Sequence, residues 1–147
     1  MFNPKKILVP VNGGPQDATV VALASQLAKR SKGQVYAIYV IEVRRTLPLD
    51  ADLPSERQEA DVVLDGVEHA AEEWDQEVET EILQARDVGT AIVEEAVEAN
   101  VDLILLGISY RRKFGEFDLG RTVPYVLKNA PCEVWVCREQ IGDRSGR

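Results

Sequence analysis

The residues whose types and spacing could do chemistry lie mostly in one stretch. It reads Gly107-Ile-Ser-Tyr110-Arg111-Arg112-Lys113-Phe-Gly115-Glu-Phe-Asp-Leu-Gly120-Arg121-Thr122. Glycines let a backbone approach a ligand closely and adopt positive φ. Arg111, Arg112, Lys113 and Arg121 place four cations in a short segment of an otherwise acidic chain. A helix starting near Gly120 would aim free N–H groups and the positive end of its dipole at an anion. Together these point to phosphate binding, because a local cationic field can oppose the global sign. The competing reading is a solvated basic loop with ordinary glycine turns.

The other reactive types carry less. His69 is the only histidine, and it lies between Asp65 and Glu72 on the polar face of a helix, as expected of a salt-bridged surface residue. One histidine without a Cys/His cluster supports neither a His-rich metal site nor a Ser-His-Asp triad. No general base is positioned for hydrolysis. Cys132 and Cys137 are five residues apart in an extended run, so they face opposite sides of it and cannot bridge. They read as small core or interface residues of a reducing compartment. The acidic stretch Glu72, Glu73, Asp75, Glu77, Glu79 and Glu81 reads as a solubilising face, and Trp74 as part of a core stripe. Tyr125 and Phe117 stay open between packing and stacking on a base.

These residues must be held by regular elements. Ile7-Leu8-Val9-Pro10-Val11 is a continuous apolar run closed by Asn12-Gly13-Gly14-Pro15, the pattern of a strand buried on both faces. From Gln16 to Arg30 the apolar residues Val20, Leu23, Ala24 and Leu27 recur at helical spacing, with Gly33 as the stop signal. Val35 to Val43 is β-branched and aromatic. The loop from Arg44 to Pro54 has no clear pattern and reads as the most mobile part. Ser55 with Gln58 matches a capping box for a helix with the stripe Ala60, Val63, Val67, Ala70 and Trp74. Val78 to Leu83 alternates as an edge strand, and Asp87 can cap a helix carrying Ile92, Ala96 and Ala99. Val101 to Gly107 is the most apolar strand. A short helix over about 120–129 and a strand over 132–137 complete the chain. The alternation β-α-β-α-β-α-β-α-β implies a three-layer α/β/α domain with a parallel sheet. Residues 1–138 read as one domain and 139–147 as a frayed tail. In such sheets ligands bind beyond the carboxyl ends of the strands at the topological switch point. That rule selects Pro10, Val11, Asn12, Val40 and the loop from Gly107 to Thr122.

Composition bounds the partners. The chain has 147 residues, a net charge of −8 and 45% hydrophobic residues. A domain of this size buries roughly 68–70% of its unfolded surface and needs no staples. The acidic balance argues against duplex nucleic acid or an anionic membrane surface as partner. No apolar run approaches the ~20 residues of a membrane helix, and no signal peptide is evident. The expectation is a soluble cytoplasmic protein.

In three segments the sequence resembles the universal stress protein family: Ile7-Leu-Val-Pro-Val-Asn-Gly-Gly, Asp102-Leu-Ile-Leu-Leu-Gly107 and Ala130-Pro-Cys-Glu-Val-Trp-Val136. Their order and spacing cover the chain from Lys5 to Arg138. The resemblance implies a Rossmann-like sheet of five parallel strands in the order 3-2-1-4-5, a homodimer and, in many members, ATP or AMP binding; the reading is a stress-response or regulatory domain and not an enzyme, with a weak ATPase or phosphotransferase as the enzymatic alternative. The nucleotide-binding members carry Gly, two residues, Gly, nine residues, Gly, then Ser or Thr. Here Gly107 and Gly120 match. Tyr110 replaces the second glycine, Arg121 stands at the hydroxyl position with Thr122 next to it, and Asn12 replaces the family's usual aspartate. By this analogy Gly107, Gly120, Arg121 and Thr122 would hold phosphate, aided by Arg111 and Arg112. Asn12 would meet ribose or base, and main chain near Val40 would read adenine. The ligand implied is ATP, AMP or a cyclic dinucleotide, with no metal site. The alternative is a nucleotide-independent homodimeric module that binds a protein partner. A pyrophosphatase-type Ser-Gly-Gly-x-Asp-Ser loop fits poorly, since Asn12 replaces its serine and Asp17 comes one residue late.

The last strand would lie at a sheet edge. An apolar edge with Val134, Trp135, Val136 and Cys137 needs a cover. Pairing with its own copy across a two-fold axis would provide one; the tail of the same chain is the other candidate.

Overall fold

A computed structural model describes residues 2–109, 112–113, 116–117 and 119–138, with 112–113 and 116–117 described as backbone only. The elements in chain order are β1 (Lys6–Val11), α1 (Gln16–Ser31), β2 (Gln34–Glu42), α2 (Pro54–Glu72), β3 (Val78–Ala85), α3 (Val88–Glu98), β4 (Leu103–Ile108), α4 (Thr122–Asn129) and β5 (Glu133–Arg138). The strands form one parallel sheet in the order β3-β2-β1-β4-β5, as the resemblance implied. Between β4 and α4 a short antiparallel hairpin, Arg112–Lys113 with Glu116–Phe117, interrupts the loop. The tail over 139–147 lies outside the described residues.

The continuous apolar runs exist because each strand face meets a helical layer. Ile7, Val9 and Val11 of β1, with Leu103 and Leu105 of β4, pack against Val20, Val21 and Ala24 of α1 and Leu64 and Val67 of α2. The intervening Leu8, Ile104 and Leu106 pack against Ile92 and Ala96 of α3 and Val123 and Val126 of α4. Period-two alternation therefore feeds two cores, one per face. Cys132 joins one core and Cys137 the other, both as free thiols.

Several local expectations are corrected. The capping box does not form: α2 begins at Pro54 with Leu53 at the N-cap and no side-chain cap bond, so Ser55 sits inside the first turn. Pro54 sets the start instead, because its φ is preset for a helix and its missing N–H has no intrahelical partner there. The buried stripe of α2 is Ala60, Leu64, Val67 and Ala71, with Val63 and Ala70 flanking it and Trp74 beyond the helix end. In α1 the fully buried face is Val20, Val21, Ala24 and Ala28, and Leu23 and Leu27 pack at its margin. That helix ends on Lys32 at φ 57°, not on Gly33. Gly33 is needed because a Cβ there would lie 2.6 Å from the carbonyl oxygen of Pro4 and 2.8 Å from that of Lys5. The loop after β2 has hydrogen bonds to the segment that ends β3: Gln84 Nε2 donates to the carbonyls of Leu49 (2.9 Å) and Ala51 (3.1 Å), and Arg86 Nη1 donates to that of Arg44 (2.6 Å). His69 is exposed and has no ion pair among the described residues.

Candidate functional site

β1 lies between β2 and β4, the point where the strand order reverses, so the segments leaving β1 and β4 diverge and open a cleft at their carboxyl ends. The cleft has a volume of about 260 Å³, just below the ~300–1,000 Å³ range of ligand pockets. Seven residues singled out from sequence line it: Pro10, Val11, Asn12, Val40, Gly107, Arg121 and Thr122. Gly120 adjoins them, in the left-handed region at φ 72°. Tyr110 and Arg111 lie outside the described residues. The backbone of Arg112 is in the hairpin, paired with Phe117.

The floor is apolar. Ile92 of α3, Leu106 of β4 and Val123 of α4 form it, with Val88 and Leu119 beside them. Ile92, Leu106 and Val123, with Val88 packed against them, belong to the core on the α3/α4 side, whereas Leu119 is exposed. Gln16 and Ser109 add polar groups that sequence reading did not select. Gln16 had a signal, being the first residue of the helix that leaves the β1 loop.

The β1 loop is fixed from below. Asp17, 8% exposed, accepts from the Gly13 N–H at 2.7 Å and the Asn12 N–H at 3.3 Å. Burial raises its carboxyl above the ordinary value, and the bonds from Gly13 and Asn12 pull it partly back. Gly13, at φ 89°, makes the turn that aims both N–H groups at Asp17. Asn12 Oδ1 accepts from the Gly14 N–H at 2.8 Å and Gln16 Nε2 at 2.9 Å. Both partners are donors, so the oxygen's orientation is set and the Asn12 Nδ2 is the group left to offer hydrogen bonds.

Gly107 has a packing role. A Cβ there would lie 2.6 Å from Val20 Cγ1 and 3.1 Å from Gln16 Cγ, so its missing side chain lets α1 sit close on β4. On the other wall, α4 starts at Thr122, two residues later than the glycine suggested, with Arg121 at the N-cap and no side-chain cap bond. Pro124 follows in the first turn and has no N–H to give. A cation at a helix N-cap opposes the dipole. Here carboxylates offset it: Arg121 Nη2 is 3.6 Å from Glu42 Oε2 at the end of β2. Asp87, the N-cap of α3, accepts from the Thr90 N–H (2.9 Å) and Oγ1 (2.8 Å). Those bonds hold its carboxyl below the ordinary value, and the Arg121 charge lowers it further.

The remaining candidates fall elsewhere. Tyr125 packs on Gly89 of α3, where a Cβ would come within 3.0 Å of its ring. The Phe117 side chain lies outside the description. Burial raises both thiols, Cys132 and Cys137, away from the reactive thiolate. Among the described residues no group of three or more His, Cys, Asp or Glu is placed to hold a metal ion. No helix among them is long and apolar enough to cross a membrane. β5 is an edge strand, with Val136 at 36% exposure. Trp135 there contacts Phe2, with ring centroids 6.0 Å apart, and its Nε1 donates to Glu133 Oε2 at 2.6 Å.

Comparison with known proteins agrees with this architecture. The chain is 33% identical over 141 residues to the universal stress protein MJ0531 of Methanocaldococcus jannaschii, covering 92% of this chain and 82% of that one. Its fold matches the universal stress protein from Archaeoglobus fulgidus solved in complex with dAMP (TM-score 0.73, 18% identity, 92% of this chain and 98% of that one). It also matches a universal stress protein family member from Arabidopsis thaliana solved with AMP bound (TM-score 0.65, 14% identity, 94% of each chain). The model of the universal stress protein family matches residues 3–138, and the chain belongs to that family.

Proposed function

We propose that this universal stress protein is a cytoplasmic regulatory domain that binds an adenine nucleotide in the cleft at the ends of β1, β2 and β4. The observation that carries the reading is the convergence there of Asn12, Val40, Gly107, Arg121 and Thr122 over an apolar floor. The apolar floor suits a purine face, and Asn12 Nδ2 suits an acceptor on ribose or base. Arg121 and Thr122 supply a guanidinium and a hydroxyl for phosphate. Relatives of the same fold solved with dAMP and AMP support the ligand class. The proposed role is binding; weak ATPase activity is the competing outcome, tested by turnover that survives repurification. The domain acts as a homodimer through β5, whose apolar edge a second copy would cover.

The test is thermal melting of the purified protein with ATP, AMP and cyclic di-AMP. Ligand at 100 times Kd stabilises by about 2.7 kcal/mol, and Arg121→Ala should reduce the shift. No shift with any of the three at millimolar concentration refutes nucleotide binding. It would leave the second reading, a nucleotide-independent partner-binding module, which the replacements at Tyr110 and Arg121 favour.

A further inference from the structure

Resting on the nucleotide reading above, we propose that Glu42 is a charge gate that makes this cleft select adenosine ligands carrying few phosphates over the triphosphate. Val40 and Glu42 are two residues apart on β2, so both project from the same face of the strand. Val40 lines the cleft, which puts Glu42 at its rim. There its carboxylate stands 3.6 Å from the Arg121 guanidinium, the group best suited to a phosphate. Arg121 is the only charged side chain in the described lining, and its field already meets Glu42 and the Asp87 carboxylate.

A phosphate drawn to Arg121 must therefore displace Glu42 or sit beside it. Each further phosphate adds negative charge near the Glu42 and Asp87 carboxylates, with Arg121 the one cation among the described lining residues. The pair is exposed, with side-chain exposures of 86% for Arg121 and 47% for Glu42. Ion pairs of that kind are weak and salt-sensitive. The carboxylate can thus yield to one phosphate group while still disfavouring a chain of them, which makes it a gate rather than a lock. An uncharged base and ribose over the apolar floor meet no such opposition.

The experiment is titration calorimetry of the full chain with adenosine, AMP and metal-free ATP, repeated on Glu42→Gln and, as a shorter carboxylate, Glu42→Asp. Ligand-free melting of each variant reports its folding. The expected result is about tenfold tighter binding of AMP than ATP, equivalent to about 1.4 kcal/mol. Glu42→Gln should abolish most of that preference by improving ATP, and Glu42→Asp should keep part of it. Raising salt should narrow the AMP-to-ATP ratio of the parent. ATP binding as tightly as AMP in the parent, or a ratio unchanged in a folded Glu42→Gln variant, overturns the gate while leaving nucleotide binding intact. No binding of any of the three to either protein overturns the proposed function, and the gate with it.

Discussion

Replacing Gly107 by alanine separates two reasons for a glycine at the end of β4. A motif reading makes it a place where backbone approaches phosphate; the structure makes it a place where α1 approaches β4. Its φ is not in the left-handed region, where Gly13 and Gly120 lie, so the cost of a Cβ is one of space. The added methyl would lie 2.6 Å from Val20 Cγ1 and 3.1 Å from both Val20 Cγ2 and Gln16 Cγ. Carbon atoms prefer about 3.5–4.0 Å, so about 1 Å must be found. Val20 is 1% exposed and β-branched, and in a helix its χ1 has essentially one setting. Rotation cannot supply the space, so α1 must shift off the sheet. Overpacking of this kind costs about 1–3 kcal/mol, a melting decrease of roughly 2–12 °C for a domain this size. Urea titration measures it directly, with the slope expected to stay constant. The decisive version is a double-mutant cycle with Val20→Ala. That change alone should cost about 2 kcal/mol by removing buried methyl groups. It also vacates the space the new Cβ needs, so the double variant should be more stable than the sum of the two losses by about 1 kcal/mol or more. Additive losses, or a Gly107→Ala protein as stable as the parent, would refute the packing argument. Nucleotide-dependent stabilisation that survives in the double variant would assign the glycine to packing alone.

Three further outcomes follow from single residues. Asp87→Ala removes the N-cap of α3 and should cost about 1 kcal/mol at neutral pH by denaturant titration. Because the folded carboxyl is held below its ordinary value of 3.8, that contribution is present above about pH 4 and lost as pH falls through the lowered value, so parent and variant should converge in acid. Ser25 is fully buried and its Oγ has no hydrogen-bond partner among the described residues, so Ser25→Ala should leave stability unchanged or raise it by about 1 kcal/mol; a loss above that size would mean the hydroxyl is satisfied. Val136→Lys puts a charge on the exposed edge of β5 and should convert a dimer to a monomer of 16.3 kDa in light scattering, whereas a parent already monomeric at micromolar concentration removes the β5 dimer.

How far the sequence could be read depends on whether the deciding interaction is local. The strands of β1 and β4 were legible because burial on both faces leaves an uninterrupted apolar run. The opposite placement of Cys132 and Cys137 follows from a period of two. Asp87 was legible as a cap because its partner, Thr90, is three residues away. The capping box at Ser55 matched the same kind of rule and lost to Pro54, whose ring fixes the first helical residue. Most of the cleft lining named from sequence came from a topological rule, which specifies strand ends and needs no side-chain partners. What could not be read were pairings between distant segments. Gly107 meets Val20 across the sheet–helix interface, and Arg121 meets Glu42 from the far wall of the cleft. Neither partner is marked by its neighbours in the chain.

That last pairing changes what Arg121 contributes to the cleft. Four cations between Arg111 and Arg121 suggest a strongly positive pocket, against a chain whose net charge is −8. Charge at a site is set by what each group faces, and the one cation in the described lining faces Glu42 with Asp87 close enough to share its field. At the exposed rim water and salt screen these interactions, so each carboxylate has a modest, salt-dependent effect. Counting cations along a loop estimates attraction for a polyanion only when those cations lack carboxylate partners. Arg121 has such a partner from the end of another strand, so its share of the count overstates the attraction, and under the proposed gate the number of phosphates accepted depends on Glu42 as well as on Arg121.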